Sequence, residues 1–334
     1  MKEARFYEIK AGKANCFLCN RRCVIPEGGA GYCRVRKNVN GKLQSLVYGK
    51  TLTLTVDPIE KKPLFNFMPG TFCNSVSTYG CNFHCEFCQN HHISQDFVEE
   101  NISVIKKTTP KEIVENTLEL GVEGIAYTYT EPTIFAEYAL DTMKLAKKEG
   151  LYNVWVSNGY MSKEAVEVIA KDLDAINIDL KGNAEFYKKM CGNVEIGRVM
   201  DSIRFFHGKG VHVEVTNLIV PGYNDSLAGL GEIIDFIAST DKRMPLHFSR
   251  FIPHFNMLET PITPIEVMKK AKELAVKAGL KYVYLGNVPG AQDSFCPVCG
   301  RVLVERKGFE TLILGLKKSK CGFCGAETGF RVRP

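Results

Sequence analysis

Three cysteines, Cys81, Cys85 and Cys88, stand at C-x3-C-x2-C spacing in the run Gly80-Cys81-Asn82-Phe83-His84-Cys85-Glu86-Phe87-Cys88-Gln89-Asn90. Three thiolates can hold three corners of a [4Fe–4S] cube and leave its fourth iron without a protein ligand, whereas a structural zinc ion takes a closed set of four. An iron left open in this way invites a small-molecule ligand. The rival occupant is zinc, bound by two of these cysteines and completed by His84, His91 or His92. The three-cysteine spacing, the flanking Gly80 and Phe87, and the strand-like run Cys73–Tyr79 before the motif favour the cluster, so the three histidines are given no ligand role.

The chain has 13 cysteines, and their grouping reads as metal chemistry rather than disulfides. Cys16, Cys19, Cys23 and Cys33 surround a Gly-rich turn and can close on one metal; zinc is the simplest occupant and a second iron–sulfur cluster the rival. Cys296, Cys299, Cys321 and Cys324 form two Cys-x2-Cys-Gly knuckles, a structural zinc pattern that rubredoxin-type iron also fits. Cys73 and Cys191 are left over and are expected to be buried thiols.

Other polar residues recur just after apolar, strand-like runs. They are Glu131, then Ser157 and Asn158, then Asp179 and Lys181, then Thr216 and Asn217, and finally His247, Ser249 and Arg250. Taken singly, each has a plain structural explanation: Glu131 in the first turn of a helix, Ser157 or Asn158 as a cap, Asp179 and Lys181 as a solvated ion pair. Taken together beside an open iron, they form a pocket for a zwitterion, offering a carboxylate to an ammonium, a cation to a carboxylate, and Asn, Ser or Thr to ribose hydroxyls. His247, Arg250 and His254 are expected to face the substrate.

The elements that must position these residues alternate from about residue 71 onward. Candidate strands at 74–79, 124–129, 152–156, 175–179, 211–219, 245–250 and 281–285 are separated by helical stretches. One such helix is Pro110–Leu120, with Thr109, Pro110 and Glu112 in capping positions; Thr263, Pro264 and Glu266 repeat that arrangement before Val267–Ala278. Apolar strands alternating with amphipathic helices predict an α/β fold, a partial or complete TIM-like parallel barrel, with a doubly wound open sheet as the alternative. The expected organisation is a Cys-rich module at 1–70, the barrel at 71–290 and a metal-knuckle module at 291–334. Leu52, Leu54 and Val56, alternating with threonines, suggest a half-buried strand before the barrel.

At 334 residues and 45% hydrophobic, the chain can bury a large core. It has no apolar run of membrane-spanning length and no signal-peptide pattern, and is expected to be cytoplasmic. A net charge of +6, spread without a dense block, is too mild to argue for nucleic acid.

The motifs Cys81–Cys88, Thr130-Glu131-Pro132, Ser157-Asn158-Gly159-Tyr160 and Asp179-Leu180-Lys181 resemble those of radical S-adenosylmethionine (SAM) enzymes, in particular the pyruvate formate-lyase activating enzyme and its relatives. Where that family has Gly-Gly before Glu-Pro, this chain has Tyr129-Thr130. The resemblance implies a [4Fe–4S] cluster whose open iron chelates SAM, with Glu131 at the SAM amino group, Lys181 and Ser157 near its carboxylate, and Asp179 holding that corner. The whole chain is similar to the AmmeMemoRadiSam-system radical SAM enzymes through Cys16–Cys33, Leu46-Val47-Tyr48-Gly49, Asp57-Pro58-Ile59-Glu60-Lys61-Lys62-Pro63-Leu64, Ser249-Arg250-Phe251 and the C-terminal knuckles.

The function implied is reductive cleavage of SAM to a 5′-deoxyadenosyl radical that acts on an unidentified small molecule or protein. A one-electron donor such as ferredoxin or flavodoxin would be the partner. Two other classes stay open at this point. One is a nucleic-acid binder gripping through its terminal metal modules; the other is a multi-centre electron-transfer protein, which has no need of Glu131, Ser157 or Lys181.

Overall fold

Eight strands lie side by side in chain order to make the central sheet: β1 (Thr53–Pro58), β2 (Phe72–Ser77), β3 (Gly124–Tyr127), β4 (Tyr152–Ser157), β5 (Ala175–Asp179), β6 (His212–Ile219), β7 (Leu246–Arg250) and β8 (Val283–Gly286). This arrangement comes from a computed structural model that describes residues 1–332. Strands β2 to β8 are parallel, and β1 pairs antiparallel with β2. Because every crossover steps to the next neighbour in one direction, the sheet curls on itself instead of reversing as a doubly wound sheet does. It stops short of closure, with β1 and β8 at its two ends.

The outer layer holds α1 (Pro110–Glu119), α2 (Ala136–Lys148), α3 (Lys163–Ile169), α4 (Ala184–Met190), α5 (Ile196–Gly208), α6 (Leu227–Thr240) and α7 (Ile265–Lys277). Covered by these helices outside and filled within, the central strands are buried on both faces, which is why they read as near-continuous apolar runs. All seven expected strands are present, with ends within two residues of their predicted bounds. Among the described residues no helix is long and apolar enough to cross a membrane.

Two local expectations separate at the helices. Helix α1 has the reciprocal cap, with Glu112 N donating to Thr109 Oγ1 and Thr109 N donating to the Glu112 carboxylate. Helix α7 does not: its cap position is Pro264, and the Thr263 hydroxyl accepts from Phe251 N and donates to Ile219 O instead. Thr263 therefore ties two strand ends together, a tertiary contact that outweighs the local cap. Strand β1 is also turned over. Leu54 and Val56 are 39% and 43% exposed while Asp57 is buried, because the inward face meets a polar wall rather than the apolar core.

Small antiparallel sheets make up the N-terminal segment: Tyr7–Lys10, Lys13–Cys16 and Val24–Ile25 in one, Lys2–Glu3, Arg36–Val39 and Lys42–Ser45 in another. Val35, Leu43 and Val47 share one continuous core with the barrel, and β1, inside the 1–70 segment, already belongs to the barrel sheet. A buried ion pair joins the two parts. Arg36 donates from both terminal nitrogens to the Glu137 carboxylate of α2 at 2.8 and 2.9 Å, and Arg5 N donates to the same carboxylate at 2.6 Å.

The C-terminal segment packs Cys296, Leu303, Val304, Cys321 and Phe330 against Tyr282 and Tyr284 at β8. It also braces the loop between β1 and β2, where buried Arg306 donates to Phe65 O and Thr311 to Glu60. That loop closes the N-terminal end of the barrel: Phe65 N and Asn66 N donate to the buried Glu214 carboxylate on β6. Only the opposite end, where the parallel strands finish, is left to hold a ligand.

The Arg36–Glu137 pair generates a stability test. Burial opposes ionisation of Glu137, but Arg36 and the backbone N–H of Arg5 outweigh it, so its pKa lies below the usual carboxylate value. A depressed carboxylate pKa contributes stability that is present above the unfolded value of about 4.3 and is lost as pH falls through the folded value. Glu137→Gln leaves Arg36 buried without its counter-charge and is expected to cost about 3–5 kcal/mol at pH 7. The deficit should shrink below pH 4, as read by urea denaturation at both pH values.

Candidate functional site

The C-terminal ends of the strands open into a cavity of about 360 Å³. Cys81, Cys85 and Cys88 line it from the loop after β2, Glu131 from the loop after β3, Ser157 and Asn158 from the end of β4, Asp179 and Lys181 from the end of β5, and Thr216 from β6. The cluster loop is brought there by a close approach. Gly80 has φ +98°, and a Cβ on it would stand 2.7 Å from Val35 Cγ1 and 2.9 Å from Cys33 O, so only glycine lets the motif turn beneath the N-terminal segment.

Glu131 is the most heavily bonded group of the cavity. Its Oε1 accepts from Thr133 N, Thr133 Oγ1 and Ser157 Oγ, and its Oε2 accepts from Asn158 N at 2.8 Å. Burial raises its pKa above the usual glutamate range, and these hydrogen bonds pull in the opposite direction. Oε2 takes one of these four bonds against three at Oε1, which leaves it capacity for a further donor. Glu131 does cap the short helical turn Pro132–Phe135, so the structural role considered for it is real and coexists with its place on the cavity wall.

From Asn158 the network continues toward the cysteines. Asn158 Nδ2 donates to Asn82 Oδ1 at 2.7 Å, and Phe83 N donates to Cys81 Sγ at 3.3 Å. Across the cavity Lys181 Nζ lies 2.8 Å from Asp179 Oδ2. Burial disfavours charge on Lys181, but attraction to Asp179 prevails and raises its pKa above the ordinary lysine value. The thiol of Cys81 is pushed well up by burial, which a bound cation would reverse by favouring thiolate. Three thiols on one wall, with Glu131 Oε2 still able to accept and the Lys181–Asp179 pair on the others, suit a cluster with one open iron and a zwitterion beside it.

Two residues expected here lie elsewhere. Asn217 alternates with Thr216 and Leu218 along β6 and so faces away from the cavity; its Nδ2 donates to Leu180 O and holds the loop that carries Lys181. His247 points inward but sits two residues below Ser249 on β7, about 7 Å deeper. There its Nε2 lies 2.6 Å from Glu214 and its ring packs on Phe65 and Tyr284, in the floor of the barrel. Burial would raise the pKa of Glu214, but His212 and His247 hold it down at about 2. Arg250, bonded to Thr263 O, and His254, beside the ring of His91, are also off the cavity, whereas Ser249, Phe251, Ile252 and Asn287 line it. His84 stacks on Tyr32 and His91 on Phe255.

Sequence reasoning missed a second polar wall, made by Asp57, Lys62 and Tyr129. Lys62 Nζ and Tyr129 Oη both reach Asp57 Oδ2, at 2.8 and 2.6 Å. Tyr129 has φ +66°, so the backbone adopts at a tyrosine the left-handed conformation that glycine takes most readily. The phenol on Asp57 and Asn90 Nδ2 on Tyr129 O hold it there. The signal was available in the Asp57–Leu64 run, which reads as a loop until the fold brings Lys61 and Lys62 to the cavity lining. Cys73 and Cys191 are fully buried as expected, and Cys191 contacts Cys85.

The two terminal cysteine sets differ. Cys296 and Cys324 sulfurs are 3.7 Å apart, Cys299 and Cys321 3.8 Å, and all four lie within 4.8 Å of one another, the spacing of four thiolates on one tetrahedral ion. No three of the N-terminal four reach that closeness, although all four line one small buried cavity.

A partial parallel barrel whose rim gathers three thiols and a set of charged and polar side chains around one cavity defines a class: enzymes that hold a metal cluster and an organic cofactor at the ends of their strands. The sequence profile of the Radical SAM superfamily matches residues 75–237. An uncharacterized protein of Methanocaldococcus jannaschii is 45% identical over 331 residues, covering 97% of this chain and 98% of that one. Pyruvate formate-lyase 1-activating enzyme of Escherichia coli is 24% identical over 178 residues, 50% of this chain and 71% of that enzyme. The crystal structure of Streptococcus suis SuiB bound to precursor peptide SuiA superposes with a TM-score of 0.50 at 12% identity, over 69% of this chain and 51% of that one, a likeness of fold. The chain belongs to the radical SAM superfamily and is related to the pyruvate formate-lyase activating enzymes.

The Asp57 wall is open to a direct test. Burial opposes ionisation of Asp57, but Lys61, Lys62, Tyr129 and Ser75 together hold its pKa well below the usual carboxylate range. Its contribution is therefore present above the unfolded pKa of about 3.9 and lost as pH falls below it. Asp57→Asn removes the charge and leaves Lys62 buried without its counter-charge, and is expected to cost about 3–5 kcal/mol at pH 7. Less should be lost at pH 3, where the carboxylate of the unfolded chain is largely protonated. Equal loss at both pH values, in chemical denaturation, would place the effect in packing instead.

Proposed function

We propose that this chain cleaves SAM reductively, with Cys81, Cys85 and Cys88 as cluster ligands and Glu131, Ser157, Asn158, Asp179, Lys181 and Thr216 around the SAM. The observation that carries this reading is that one cavity is lined by all nine of these residues, drawn from five successive strand ends. Bound there, the cluster and SAM supply a low-potential electron and a 5′-deoxyadenosyl radical.

The chain's own residues do the remaining work. Glu131 Oε2 accepts from the SAM ammonium, and Ser157 and Asn158 hold that carboxylate in place. Lys181, oriented by Asp179, meets the SAM carboxylate. Glu214 and the β1–β2 loop close the floor, so water cannot enter from below. The substrate approaches over the open rim at Ile252 and Asn287, with Tyr129 and Lys62 on the facing wall.

The relation to activating enzymes supports hydrogen abstraction from a protein backbone or a small molecule, with a ferredoxin- or flavodoxin-type donor as the electron source. The Cys16–Cys33 segment, the Asp57–Leu64 run and the paired knuckles further support a place among the AmmeMemoRadiSam-system enzymes. Zinc is the ion proposed for Cys296, Cys299, Cys321 and Cys324, since a Zn–S bond of about 2.3 Å sets tetrahedral sulfurs about 3.8 Å apart.

Glu131→Ala should weaken SAM binding roughly tenfold or more, the worth of a charge-assisted hydrogen bond of about 1.5–3 kcal/mol, and Glu131→Gln should fall between it and wild type. Calorimetric titration of SAM into the anaerobically reconstituted proteins reads this; unchanged affinity in both variants would leave Glu131 as a helix cap only. Separately, Cys299→Ala should lose one zinc equivalent by elemental analysis and lower the melting temperature while iron content stays the same. Loss of iron in that variant would refute zinc as the occupant.

A further inference from the structure

Ten buried side-chain nitrogens and oxygens among the described residues have no hydrogen-bond partner, and three of them belong to residues that line one small cavity. They are Arg21 Nη2, Arg36 Nε and Asn82 Nδ2. The same cavity is lined by Cys16, Cys19, Cys23 and Cys33. All three unpartnered atoms are donors, and two carry a guanidinium charge. Buried donors of this kind are satisfied in nearly every native structure, so three around one cavity imply an acceptor that belongs there and is anionic.

The rest of the two guanidinium groups is already committed. Arg36 spends its terminal nitrogens on Glu137 and Arg5 O, and Arg21 donates to Asn82 O and Gly192 O. Each is thus held in place by bonds that leave one guanidinium nitrogen free. Tyr32 N adds a backbone donor to Cys23 Sγ at 3.4 Å.

The sulfur spacing selects the acceptor. Four thiolates on one tetrahedral zinc ion stand about 3.8 Å apart. The C-terminal knuckles show that spacing in this same chain; the N-terminal four do not, with no three sulfurs mutually within 4.8 Å. Thiolates that each bind a separate corner iron of a cube stand farther apart than four on one ion. The cube's sulfides also supply extra acceptors for N–H donors, which a single ion bound by thiolates lacks.

We propose that Cys16, Cys19, Cys23 and Cys33 hold a second, fully protein-ligated [4Fe–4S] cluster, with Arg21, Arg36 and Asn82 donating to its sulfur atoms. The site adjoins the first one. Asn82 follows Cys81 in the chain, receives a hydrogen bond from Asn158 of the SAM cavity, and lines the second cavity. Asn82 and its chain neighbour Cys81 therefore bridge the two sites.

The test counts acid-labile sulfide, which only clusters contain, in anaerobically reconstituted full-length protein. Wild type is expected to hold about eight sulfides and eight cluster irons per chain, with about four of each in Cys81→Ala/Cys85→Ala/Cys88→Ala and about four in Cys19→Ser/Cys23→Ser. Mössbauer spectra of the first variant should show a [4Fe–4S] signal. About four sulfides with two zinc equivalents in wild type would overturn the proposal without any variant having to fold. Complete loss of sulfide from the Cys81/Cys85/Cys88 variant, with its melting temperature preserved, would overturn it as well.

Discussion

A carboxylate buried as deeply as that of Glu131 is tolerated only if donors surround it, and meeting that demand organises the rim of the barrel. Thr133 satisfies it from the same loop, but Ser157 and Asn158 must come from the next strand. Asn158 in turn bonds Asn82, the neighbour of Cys81, so the end of β3, the end of β4 and the cluster loop are locked in one hydrogen-bonded chain. The cysteine motif is local in sequence, yet its position over the cavity depends on this chain and on the close approach of Gly80 to the N-terminal segment.

The opposite end of the barrel solves a similar electrostatic problem differently. Glu214 accepts from His212, His247, Phe65 N and Asn66 N, so its charge is fully matched and no group is left to face a ligand. The C-terminal segment presses on that floor through Arg306 and Thr311. One buried carboxylate thus closes the barrel, and another, with one oxygen still able to accept, furnishes its open end. The same residue type does opposite work because the number of fixed donors differs.

Cysteine spacing in sequence also has different outcomes in space. Cys-x2-Cys occurs at the N-terminal set, the cluster loop and both C-terminal knuckles. Only the C-terminal four converge to the separation of thiolates on a single ion. At the N-terminal set, buried donors and wider sulfur separations surround a cavity instead, with the Arg36–Glu137 ion pair fixing that wall to the barrel.

The alternation of apolar strands with amphipathic helices, the three-cysteine motif and the polar residues after each strand are short-range patterns, and the sequence alone determined from them the parallel barrel frame and ten of the residues that line the cavity, from Cys81 to Ser249. Depth along a strand and choice of face are not short-range. His247 and Ser249 share a face of β7, and only the packing of the β1–β2 loop puts the first in the floor and the second in the cavity. Thr263 looked like a helix cap until Ile219 and Phe251 claimed its hydroxyl. The Asp57–Lys62–Tyr129 wall joins residues 72 positions apart, and the strained backbone of Tyr129 has meaning only once Asp57 is opposite its phenol. Tertiary structure decided these because the energy of a buried polar group depends on partners that come from elsewhere in the chain.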